Sequence, residues 1–75
     1  MLSEQEMLVP LVLAEIRDIL VADHGAFDDL RAEGGEFVWT FEGQTVRCDI
    51  PKIDNVHLAA RKCAVKLTTR LRDDV

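Results

Sequence analysis

Two runs of alternating side chains, joined at Glu42-Gly43, restrict what this chain can fold into more than any other feature. Phe37, Trp39 and Phe41 alternate with Glu36, Val38, Thr40 and Glu42. Val46, Cys48 and Ile50 alternate with Thr45, Arg47 and Asp49. A period of two sends successive side chains to opposite faces of a strand, and Glu-Gly supplies a two-residue turn between two strands. That turn sets the register. Phe37 faces Cys48 and Trp39 faces Val46, so one side of the hairpin is rich in aromatic rings. The other side shows Glu36, Val38, Thr40, Thr45, Arg47 and Asp49, with Glu36 and Asp49 as a like-charged pair. It reads as a solvated face with edges blunted by charge.

A hairpin alone is unstable in water, so its aromatic side needs a cover. Helical periodicity on either flank supplies one. Ser3 and Glu6 have the spacing of a capping box. Val9, Val12, Leu13, Ile16, Ile19 and Leu20 then recur at intervals of three and four. Pro10 interrupts this stretch, because proline removes one helical hydrogen bond and crowds the preceding turn. The expectation is a helix over about 4–22 that kinks or starts its main body at Pro10, ended by Asp23-His24-Gly25. Residues 26–33 read as a loop or a short helix with Phe27 and Leu30 inward, closed by Gly34-Gly35 as a junction. Pro51 ends the second strand. Asp54 or Asn55 caps a last helix over about 54–72, whose apolar stripe is Val56, Ala60, Cys63, Ala64, Leu67 and Leu71. The predicted architecture is α+β, in the order helix, β-hairpin, helix (αββα). Residues 1–75 form one domain, with both helices on the aromatic face of a two-stranded antiparallel hairpin.

A chain of 75 residues buries only roughly 60% of the surface its unfolded form exposes. Small domains are commonly reinforced by disulfides, a metal or oligomerisation. Two cysteines are too few for a disulfide scaffold. Hydrophobic residues make up 48% of the chain, so part of that apolar surface is expected to meet another chain. Leu58 and Val65 lie opposite the stripe of the last helix, and Met7, Leu8 and Leu11 depart from the main face of the first. Several apolar residues off the core of so small a domain point to a protein interface. The start of the chain lacks the basic residues of a secretory leader, and Met7–Ala14 is too short to span a bilayer. The expectation is a soluble cytoplasmic protein with reduced thiols and no membrane partner.

Charge is divided unevenly. Residues 1–45 carry ten acidic and two basic side chains, a net of −8, and residues 46–75 carry four and seven, a net of +3. Lys62, Lys66 and Arg70 recur every four residues along one flank of the last helix, with Arg61 and Arg72 on the other. Such a stripe suits phosphates or an acidic protein, but it reads first as a solvated helix face, with cations favoured near a helix C-terminus by the dipole. The acidic total and the absence of aromatic residues among the lysines weigh against nucleic acid.

Motifs for chemistry are missing. His24, His57, Cys48 and Cys63 form no pair at ligand spacing, and both cysteines fall on core-facing positions. Asp28, Asp29 and Glu33 cluster without a pocket to tune their pKa. Gly34-Gly35 lacks the strand and the lysine of a phosphate loop. No catalytic residue, metal site or cofactor is predicted.

The helix–hairpin–helix order and the size resemble those of the small head–tail joining proteins of tailed phages. The resemblance is one of architecture, and it implies an adaptor role and a bacterial or phage origin. The function expected is a small non-enzymatic protein-interaction or structural module, oligomeric, that docks on another protein or a second copy of itself. The partner-binding residues would be Arg61, Lys62, Lys66, Arg70, Leu58 and Val65. The alternative is a nucleic-acid-associated accessory protein using the basic stripe.

Overall fold

The computed structural model describes residues 3–73; the outer ends of the predicted 1–75 domain lie outside the described residues. Two helices pack on a three-stranded antiparallel sheet. Helix α1 is Glu4–His24, strands β1, β2 and β3 are Asp29–Glu33, Glu36–Phe41 and Gln44–Asp49, and helix α2 is Val56–Asp73. The sheet order is β1-β2-β3.

The predicted hairpin is present in the predicted register. Phe37 pairs with Cys48, Trp39 with Val46 and Thr40 with Thr45, and the two threonine hydroxyls lie 3.1 Å apart. The two-stranded sheet of the sequence reading needs correcting. Residues 29–33, read as loop or short helix, form a third strand against β2, with Leu30 opposite Trp39 and Glu33 opposite Glu36. Gly34-Gly35 is the turn between them. Its backbone has φ of +58° and +79°, the left-handed pair that a two-residue hairpin turn requires and that glycine adopts without steric cost. Phe27 and Leu30 do face inward, from an extended segment.

Helix α1 runs unbroken through Pro10. Ser3 Oγ accepts the Glu6 N–H at 3.1 Å and donates to Glu6 Oε1 at 3.3 Å. Gly25, at φ +82°, closes the other end by donating its N–H to the Val21 carbonyl. Helix α2 is capped by Asn55, whose Oδ1 accepts the Leu58 N–H at 3.0 Å.

Val12, Ile16 and Leu20 of α1 and Ala60, Cys63, Ala64, Leu67 and Leu71 of α2 meet Phe37, Trp39, Val46 and Cys48 of the sheet in one core. Ile53 joins it from the β3–α2 connection. Gln5 fixes that connection by accepting the Ile53 N–H at 2.7 Å and donating to its carbonyl at 3.0 Å. Leu8, assigned to the spare surface, is half-buried against the core.

The helices run in the same direction. Gln5 meets Ile53, Glu15 pairs with His57, and His24 Nε2 lies 3.2 Å from Thr68 Oγ1. A residue of α1 is thus level with the α2 residue about 44 positions later. Three strands separate the helices, so the chain has returned to its starting end before α2 begins.

Candidate interaction surface

Both helices cover one side of the sheet, leaving two broad faces: the outer face of the helix layer and the open face of the sheet.

At 100° per residue, the side of α1 opposite Val12, Ile16 and Leu20 carries Met7, Leu11, Ala14, Asp18 and Val21. All five are exposed, with Met7 61% and Leu11 56% accessible. Their intervals are four, three, four and three. The side of α2 opposite its core stripe carries Leu58, Lys62, Val65, Thr69 and Arg72 at the same intervals, again all exposed. Leu58 is 52% and Val65 65% accessible. Val65 lines a groove between the helices with Ile19, Asp23, Thr68 and Arg72.

The two helices carry opposite charge. Five carboxylates and one guanidinium give α1 a net −4, and five cations and one carboxylate give the described part of α2 a net +4. His57 bridges to Glu15 at the near end of the seam.

The six residues singled out from the sequence divide between two surfaces. Leu58, Arg61, Lys62 and Val65 belong to the outer helix face. Lys66 and Arg70 lean toward β3, where their positive charges act on Cys48. Arg70 donates to the carbonyl of Arg47, a group on the free edge of β3. Among the described residues, Arg61, Lys62 and Lys66 have no carboxylate within ion-pair distance. Of the α1 stripe, Met7 and Leu11 are visible in the sequence as apolar residues off the main face, whereas Ala14, Asp18 and Val21 join them only through the four-three interval, which is obscured because only three of the five members are large and apolar.

The open sheet face differs from the solvated face expected. Val38 sits at its centre with no accessible surface. The register places Arg31 and Arg47 on either side of it, and side chains of this kind lay their aliphatic stems over apolar neighbours while their heads reach water. Arg31 pairs with Asp29 and Glu33 and Arg47 with Glu36, so these charges are largely compensated within the face.

Cys48 and Cys63 are free and buried. The neighbouring Cys63 thiol, together with burial, pushes the Cys48 thiol up, and the same neighbour brings the Cys63 thiol down. Among the described residues, no three His, Cys, Asp or Glu side chains come together as metal ligands, and no helix is long and apolar enough to cross a membrane. Compared with known proteins, the chain matches no family, no curated protein and no solved structure.

Proposed function

We propose that this chain is a small non-enzymatic protein-interaction or adaptor module that works in the cytoplasm through the outer face of its helix layer. The observation that carries this reading is the matched pair of exposed stripes. Met7, Leu11, Leu58 and Val65 are each more than half accessible on a protein of 75 residues, in a patch flanked by opposite charges. Burying such a patch against a partner is favourable in proportion to its apolar area, and the charges select the orientation. The test is affinity capture with the tagged protein and its Val65→Glu variant. The native face retains a protein, either another chain or an untagged copy, that the variant releases, while both unfold at the same temperature. Equal retention by both proteins would overturn the reading.

A second reading is association with nucleic acid through Arg61, Lys62, Lys66 and Arg70. The absence of described ion-pair partners for the first three favours it. The attachment of Arg70 to β3 removes one cation from the stripe, and the acidic α1 alongside repels phosphate. A salt-sensitive shift of a DNA or RNA duplex that disappears in Lys62→Glu/Lys66→Glu would support it. No shift at low salt removes it.

A further inference from the structure

We infer that the outer helix face binds a second copy of this chain, about a twofold axis parallel to the helices, so that α1 of each protomer lies on α2 of the other. The inference rests on the reading of that face as a docking surface and names its occupant.

The argument begins with the intervals. A four-three-four-three stripe on a helix is the pattern by which side chains of one helix enter the spaces of another. The stripes on α1 and α2 lie on one exposed face, and nothing within the described chain covers them. Two parallel helices can meet a copy of themselves in two simple ways. A twofold axis across the helices would set α1 antiparallel on α1 and α2 on α2, opposing −4 with −4 and +4 with +4. An axis along the helices sets α1 on the partner's α2; over the heights the two share, residues 12–24 of α1 and 56–68 of α2, it opposes −2 with +3 in both halves of the interface. The charge division therefore selects the second arrangement.

Register supplies an independent check. An axis parallel to the helices leaves heights unchanged, so the offset within one protomer, read from His24 and Thr68, also applies across the interface. It sets Ala14 beside the partner's Leu58, Asp18 beside the partner's Lys62, and Val21 beside the partner's Val65. A small residue meets a large one, an acid meets a base, and two β-branched or apolar surfaces meet each other. An interface of this kind is self-complementary, as twofold contacts must be.

The size is modest. At this register the facing helices overlap over 13 residues each, a footprint about 20 Å long and about 20 Å wide. A stable interface of about 800 Å² per partner is about a sixth of the 4949 Å² surface of the described chain. Burial of this face would also supply the reinforcement that a domain of this length lacks.

The test is solution mass by sedimentation or light scattering up to about 500 µM, a range that captures even weak dimers. The native chain is expected to be a dimer that dissociates on dilution. Val65→Glu is expected to be a monomer with unchanged circular dichroism, because Val65 lies outside the core. Asp18→Lys and Lys62→Glu are each expected to weaken the dimer by about tenfold or more. Asp18→Lys/Lys62→Glu in one chain recreates the pair with its signs exchanged, and the dimer returns to near-native affinity. A native monomer throughout the range overturns the inference. If Val65→Glu still loses a captured protein in that case, the docking surface stands with a different occupant. A dimer that ignores the single charge reversals, or one that the double reversal fails to restore, overturns the proposed axis.

Discussion

At the scale of single residues, the positions fixed by local pattern behave as the alternation dictates. Phe37, Trp39, Val46 and Cys48 all point into the core because a strand offers each side chain only two directions. Trp39 is fully buried beside His24, Phe27 and Phe41, with ring centroids 5.2 to 6.3 Å away, and its indole N–H finds no hydrogen-bond acceptor among the described residues. Val38 is buried on the open face for a reason that sequence conceals: its cross-strand neighbours are two arginines, one of them on a strand with little apolar content. The two cysteines make a pH prediction. Their interaction holds the Cys48 thiol up and the Cys63 thiol down, so the folded pair releases its first proton more readily than the unfolded chain and its second less readily. The two shifts oppose each other, and stability declines only once pH rises past 9.0 and the unfolded chain has lost both protons. Urea unfolding should show a nearly flat stability up to that pH and a loss above it; a loss that begins below it would contradict the pairing. Glu42 makes another. It occupies the turn with φ of +49°, a conformation that costs an ordinary side chain roughly 1–2 kcal/mol and that asparagine tolerates. Glu42→Asn is expected to stabilise the fold by about 0.5–1 kcal/mol, measured as a shift in the urea midpoint.

At the scale of elements, both helices and the β2–β3 hairpin were legible because each has its own period, cap and stop signal. Strand β1 was not. Only Leu30 of its five residues is buried, and Asp29, Arg31 and Glu33 read as a charged loop. The strand exists because β2 offers a free edge and Gly34-Gly35 turns the chain back onto it. The glycine pair fits both a junction and a hairpin turn, and local pattern does not choose between them. Ile53 is hidden for a related reason: its partner Gln5 is 48 residues away. Pro10 presents the reverse case. Local rules offer a kink or a start, and the helix continues on both sides, anchored by the cap at Ser3 and the clamp at Gln5, so Pro10 is not the start of its main body. An interior proline costs a helix about 3 kcal/mol, partly offset by the stiffer unfolded chain. Pro10→Ala is thus expected to raise stability by about 1–2 kcal/mol. An unchanged midpoint would mean that the turns before residue 10 contribute little to the cooperative unit.

At the scale of the whole molecule, the uneven charge visible along the sequence becomes a division between two adjacent helices, which composition alone does not reveal. The spare apolar residues were legible one by one. Their union into a single face depended on the parallel course of α1 and α2, set by a third strand that local pattern did not disclose. If that face pairs two copies, stability depends on concentration. The melting temperature of the native chain should then rise with each dilution step reversed, while that of Val65→Glu stays constant. The parallel course has an electrical consequence as well. Neighbouring antiparallel helices cancel their peptide dipoles, whereas these two add. About half a positive charge sits at each helix start, near Ser3 and Asn55, and a matching negative end lies at His24 and at Asp73. A twofold axis along the helices keeps all four dipoles aligned. The assembled particle is therefore polar along its length, with one end that attracts anions and another that attracts cations, and it would turn to follow an applied field.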